Sequence, residues 1–355
     1  MDYARELDEL LDIVIKESAS DLHLSEGRKP TIRVTGELVT LIRKDEVTGE
    51  YITGILNVLL KRSPHLLEHF QKENEVDFAY SHGQGNRFRG NAFVQQGHTS
   101  IALRLIPNII KQLADLNLPP ALEQFARKQQ GFFLVVGPVG QGKTTTLAAL
   151  IELVNQERAE HIVTIENPIE YVYVQKKSII DQREVGIDTR DFATALRSAL
   201  RQDVNVILVG EMRDHETMAA AVTAAETGHL VFSTLHTNNA AQTIDRIIDS
   251  FPSSQQDQIR MQLASSLSGI LSQRLVPRVS GGQLPAFELL IANNAVANLI
   301  REKRTHELNT VIETGSDQGM IDMNRCLIEL VRKGEISVET AYQHSLNPKV
   351  LERML

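Results

Sequence analysis

Residues 137–144 read Gly-Pro-Val-Gly-Gln-Gly-Lys-Thr and follow an apolar run, Phe132–Val136. The spacing G-x-x-x-x-G-K-[ST] is that of a phosphate-binding loop. Gly137, Gly140 and Gly142 let successive backbone N–H groups turn inward around phosphate oxygens, with Pro138, Val139 and Gln141 completing the loop. A helix expected from Lys143, with Thr145 in its first turn, presents its positive N-terminal end to the same anion. Lys143 reaches the β- and γ-phosphates, and the Thr144 hydroxyl is a ligand for Mg²⁺. The pattern predicts a site for ATP with Mg²⁺.

Such a loop needs a metal- or water-ordering carboxylate at the end of a neighbouring strand. The apolar run Val204–Val209, followed by Gly-Glu-Met-Arg-Asp at 210–214, offers Glu211 for the metal and for water. A second strand, in HIVTIENPIE at 161–170, ends in Glu166 and Glu170. Either carboxylate could orient or deprotonate the attacking water. The segment GHLVFSTLHT at 228–237 is a strand bracketed by His229 and His236. A histidine at a strand tip can hydrogen-bond a γ-phosphate and report its loss, and His229 is the residue expected to do so.

These residues must be positioned by alternating strands and helices. Phe132–Val136, His161–Glu166, Val204–Val209 and Leu230–Thr234 are continuous apolar strands, with helical patterns from Lys143, over Asp191–Arg201 and over Thr217–Glu226. That alternation predicts a mainly parallel sheet covered on both faces. From about residue 255 the chain reads as several helices, with a strand near Phe287–Ile291.

The first hundred residues differ. Leu7, Leu10, Leu11, Val14 and Ile15 have helical spacing, and Thr31–Val34, Val76–Tyr80, Arg87–Val94 and Ser100–Ile106 read as short strands. We expect a mixed α+β domain over 1–106, a proline-marked linker over 107–120 and an α/β domain over 121–355.

Composition bounds the function. With 42% hydrophobic residues, 23% charged residues and a net charge of −8, this is an ordinary globular chain without the basic patch of a nucleic-acid binder. The single cysteine, Cys326, allows no intramolecular disulfide and fits a reducing compartment. The N-terminus MDYARELDEL has neither the basic nor the apolar region of a signal peptide, and no apolar stretch is long enough to span a membrane.

Together, in this order, the segments at 137–144, 161–170, 204–214 and 228–237 resemble the Walker A, Asp box, Walker B and His box of the secretion ATPase superfamily. Ala19–Ser25 (ASDLHLS), Gln182–Gly186, Ala195–Arg201, Ala225–His229 and Ile270–Leu275 match too, so the resemblance covers essentially the whole chain. Residues 295–302 (AVANLIRE) resemble the AIRNLIRE motif of the pilus-retraction branch, with Val296 and Ala297 departing. In the Asp box, Asn167 replaces the usual aspartate. It can carry no charge, so the resemblance leaves the duty to Glu166 or Glu170 and favours Glu170. Gln141 stands where serine is common.

The resemblance implies a small PAS-like α+β domain followed by a RecA-like P-loop ATPase domain with a helical C-terminal region. It implies a homohexamer that hydrolyses ATP for pilus retraction at the cytoplasmic face of the bacterial inner membrane. The ring would act on a PilC-like platform protein, peripheral to the membrane and without direct nucleic-acid contact. Pilus extension, type II secretion and a weakly active accessory role remain alternatives. Arg89 and Arg104 resemble in their spacing the family's N-domain arginines that reach the nucleotide.

Overall fold

A computed structural model describes residues 2–83, 85–106 and 110–354. The chain divides into two compact units, Met1–Ile109 with Pro168–Val172, and Ile110–Asn167 with Tyr173–Leu355. Of the expected linker, 107–109 lie outside the described residues. The second unit then opens with short turns at Leu113–Leu116 and Pro120–Leu122.

Among the described residues, the first unit holds six strands: β1 (Asp21–Ser25), β2 (Thr31–Val34), β3 (Glu37–Thr40), β4 (Glu75–His82), β5 (Asn86–Gln95) and β6 (His98–Ile106). They form an antiparallel sheet in the order β3-β2-β1-β6-β5-β4. Leu7, Leu10, Leu11 and Val14 of the helix Tyr3–Lys16 are fully buried, in one core with Leu22, Leu24, Phe88, Ile101 and Leu103 of the sheet. That burial removes one helix stripe and one sheet face from water. The β5–β6 hairpin turns at Gln96 and Gly97, which have φ of 49° and 82°. A two-residue turn with both φ positive matches the strand twist and fixes the register. It sets Arg89 directly opposite Arg104.

The second unit holds β7 (Gly131–Val136), β8 (His161–Glu166), β9 (Ile179–Glu184), β10 (Val206–Val209), β11 (Leu230–Leu235), β12 (Leu267–Pro277) and β13 (Gln283–Ile291), in the order β13-β12-β7-β11-β10-β8-β9. All pairs are parallel except β12 with β13. Every residue of β7, β10 and β11 is buried, as a sheet covered on both faces requires.

The C-terminal region carries the expected helices, and the strand expected near Phe287–Ile291 is β13; its partner β12 is the addition. β12 and β13 form a long hairpin that extends the sheet, and only the segments around it are helical. Ser272 and Gln273 interrupt the apolar run of β12, yet they are 0% and 3% exposed. Their polar atoms are satisfied by partners distant in sequence, so local patterning carries no trace of the strand.

Candidate functional site

Parallel strands leave their C-terminal ends on one rim of the sheet, where ligands of α/β folds sit. The registers pair Val136 with Leu235, and Val209 with Ser233 and Ile165. Gly137, His236 and Gly210 with Glu211 follow their strands, and Glu166 is the last residue of β8. The sheet therefore lines up the loop at 137–144, His236, Glu211 and Glu166, in that order, on one rim.

Loop geometry follows from its glycines. Gly137 has φ 148°, and a Cβ there would lie 2.3 Å from the Gln273 carbonyl oxygen. Gly140 is exposed at φ 76°, and open space surrounds the position a Cβ would take, so backbone conformation alone calls for glycine there. Gly142 caps the helix Lys143–Glu157 in the left-handed conformation, φ 75°. The first N–H groups of that helix have no intrahelical acceptors and point toward the loop. Lys143 is 7% exposed, and its ammonium donates to the carbonyls of Gly137 and Pro138, both at 2.8 Å. A buried ammonium needs such partners. Thr144 and Thr145 are partly exposed in the first turn, while Val139 stands 80% exposed at the loop tip.

The Lys143 ammonium also lies 3.2 Å from Nδ1 of His236. An ammonium has no acceptor, so His236 Nδ1 is the bare nitrogen and Nε2 carries the proton. That Nε2 faces Glu211 Oε2 at 3.6 Å, and the other Glu211 oxygen accepts from Arg213 Nη2 at 2.6 Å. Lys143, His236, Glu211 and Arg213 thus form a continuous polar row. The Glu211 segment is held in place by backbone bonds from Gly210 N to Ile165 O (2.8 Å) and from Met212 N to Thr234 O (3.3 Å). A Cβ at 210 would crowd the Ile165 carbonyl and Glu166 Cα, at 3.3 and 3.4 Å. The neighbouring Asp214 is occupied elsewhere. It caps the helix His215–Glu226, accepting from Thr217 N and Oγ1 at 2.8 and 2.9 Å. Glu211 is therefore the carboxylate of this segment that faces the loop.

Glu166 ends β8, is 4% exposed, and accepts from Thr164 Oγ1 at 2.6 Å and Gln182 Nε2 at 3.4 Å. Glu170 is half-buried and belongs to the first unit, because the chain enters that unit at Pro168 and leaves it after Val172. Asn167 is exposed just before that crossing.

His229 lies away from the loop within the chain. It precedes β11, and its carbonyl accepts from Gly131 N at the start of β7 (3.0 Å), while its Nδ1 faces Ala224 O at 3.0 Å. It sits at the opposite sheet rim from the loop of the same chain, roughly 20 Å away at the rise of a strand. His236, the second histidine of the same segment, occupies the loop rim instead. Strand direction would have found it: in a parallel sheet the residue after a strand, not before it, shares the rim with Gly137.

In the first unit, Arg89 and Arg104 are exposed cross-strand neighbours. Like charges in that position repel. Asp21 offsets the pair, accepting from Arg104 Nε at 2.8 Å. Burial pushes the Asp21 carboxyl up, but hydrogen bonds from Ser20 and Arg104 outweigh it and hold the group below its ordinary range.

Helix Asn294–Arg301 covers most of the 295–302 motif. Val296 and Ile300 are fully buried, and Asn298, Arg301 and Glu302 are exposed. Among the described residues, no helix is long and apolar enough to cross a membrane, and no cluster of three or more His, Cys, Asp or Glu could hold a metal.

Residues 3–340 match the family model described as type II/IV secretion system protein. The chain is 41% identical over 344 residues to the type IV pilus retraction ATPase PilT of Pseudomonas aeruginosa, covering 97% of this chain and 99% of that one. It is 44% identical over 322 residues to a twitching motility protein of Neisseria gonorrhoeae, covering 90% of this chain and 84% of the relative. The crystal structure of the pilus retraction motor PilT with bound ADP superimposes with a TM-score of 0.90 at 44% identity, covering 98% and 99% of the two chains. An α+β unit followed by a P-loop α/β unit, matched over nearly its full length, places the chain in the type II/IV secretion system protein family.

Proposed function

We propose that the chain is an ATP-hydrolysing motor subunit that powers retraction of a type IV pilus. The observation that carries this reading is the row of loop, His236, Glu211 and Glu166 on one sheet rim. It is supported by near-end-to-end similarity to relatives named for pilus retraction and twitching motility, and to a pilus retraction motor solved with ADP.

ATP is bound by Gly137–Thr145, with Lys143 on the β- and γ-phosphates. Mg²⁺ usually takes only one or two protein carboxylates and completes its shell with water and substrate phosphates. A Thr144 hydroxyl and a Glu211 carboxylate fit that need, and no three-acid cluster is required. When bound, the cation supplies positive charge to the phosphates. His236 takes over the γ-phosphate-reading role expected of His229. Glu170 or Glu166 orients the attacking water.

The domains divide as 1–106, 107–120 and 121–355. Six copies form a ring acting on a PilC-like platform protein at the cytoplasmic face of the inner membrane. The exposed Asn298, Arg301 and Glu302 are polar groups such a partner could read. Nucleic acid is not contacted directly, which suits the net charge of −8.

Arg89 and Arg104 reach the nucleotide, where a planar guanidinium stabilises charge building on the transferred phosphoryl group. Replacing either by Ala is expected to slow ATP turnover about a hundredfold or more with the assembly intact. Turnover and native mass measured together check this; wild-type turnover in both variants ends the arginine assignment.

The direction of work is tested in the source cell. Deletion of the gene is expected to leave abundant surface pili that no longer retract. Loss of surface pili would instead identify an extension motor.

A further inference from the structure

We propose that Gln273 and Gln141 form a clasp that sets the shape of the phosphate loop, which makes both of them positioning residues for nucleotide binding. The inference rests on reading 137–144 as the nucleotide site.

β12 runs alongside β7 only as far as Ser272, which pairs with Val136, the last residue of β7. Gln273, Arg274 and Leu275 continue past that end, so their backbone edge on this side has no strand partner. The phosphate loop fills the gap. Gln141 Oε1 accepts from Leu275 N at 2.6 Å, substituting for the missing strand carbonyl. Gln273 Nε2 donates to the Gln141 carbonyl at 2.7 Å, and Gln273 Oε1 accepts from Thr146 Oγ1 at 2.7 Å. The Gln273 backbone carbonyl occupies the space a Cβ at 137 would need, and its Nε2 lies 3.0 Å from a Cβ position at 142. One buried residue therefore touches the beginning, middle and end of the loop.

The chemistry requires amides. Gln273 must donate with one end and accept with the other, which neither Glu nor Leu does. A serine at 141 is too short to reach Leu275 N. A loop with glycines at 137, 140 and 142 has much backbone freedom to lose on closing around phosphates. Holding it in shape beforehand lowers that cost and raises affinity. Affinity, rather than the chemical step, is what the clasp governs.

The test uses the full chain, with ADP binding, steady-state ATP turnover and thermal melting measured on each variant. Gln141→Ser is expected to raise the ADP Kd and the ATP KM about tenfold, as loss of one good hydrogen bond would, with KM affected more than kcat and melting nearly unchanged. Gln273→Glu keeps volume and the Thr146 contact but loses the donor, and is expected to weaken binding by about tenfold or more. The double variant should lose less than the product of the two, because both act on one loop. Wild-type ADP affinity in Gln141→Ser and Gln273→Glu, with binding still strongly weakened by Lys143→Ala, overturns the clasp and leaves the nucleotide site standing. Unaltered binding in Lys143→Ala as well overturns the reading beneath it.

Discussion

Lys143→Ala is expected to lower ATP hydrolysis by about a thousandfold or more and to weaken ADP binding by about a hundredfold, in a protein that stays folded. The side chain is 7% exposed and its ammonium sits among the Gly137 and Pro138 carbonyls and His236. Charge-assisted contacts to phosphate are strong because they form away from bulk water. Arg213, the cation at the far end of the same row, is engaged with Glu211 at 2.6 Å. Alanine is a good helix former at the first position of Lys143–Glu157, so the loss falls on the site rather than on the fold. Phosphate release, ADP titration and far-UV circular dichroism on the same preparation check this. A folded variant with near-normal turnover would remove the P-loop from the mechanism.

Glu211→Gln is expected to retain ATP binding within a few-fold while hydrolysis falls by about a hundredfold to a thousandfold. Glutamine keeps the volume but not the charge that faces His236 and Arg213. Without it, neither a metal ion nor an attacking water is held by a full negative charge. Asp214 cannot substitute, because both its oxygens cap the helix that begins at His215. Companion variants resolve the water-orienting carboxylate. Loss of hydrolysis in Glu170→Gln supports the family-based preference; full activity there with a dead Glu166→Gln assigns the role to the buried residue at the end of β8.

The phosphate loop was legible in the sequence because its chemistry fixes both residue types and spacing within eight positions. The Glu211 strand was legible for a similar reason: an all-buried strand must be apolar, and a carboxylate directly after it stands out. The histidine needed one step more. His229 and His236 flank the same strand, and only the direction of β11 beside β7 separates them. Glu211 and Asp214 were likewise told apart only by the cap that Asp214 makes. The register placing Arg89 opposite Arg104 depends on a turn at Gln96-Gly97, a Gly-containing two-residue loop whose first residue is not one that commonly adopts positive φ. The clasp was out of reach. Gln141 and Leu275 are 134 positions apart, and β12 itself was hidden by its polar, fully buried middle. Features set by local covalent spacing could be read along the chain, whereas those set by non-local pairing required the sheet.

The central claim, that this rim turns over ATP, is met most directly by inorganic phosphate release from the purified full-length protein given ATP and Mg²⁺. The account predicts sustained, Mg²⁺-dependent release over many turnovers per subunit. Tight binding of ATP with no phosphate released would contradict it, and would make the chain a nucleotide-binding accessory subunit rather than a motor.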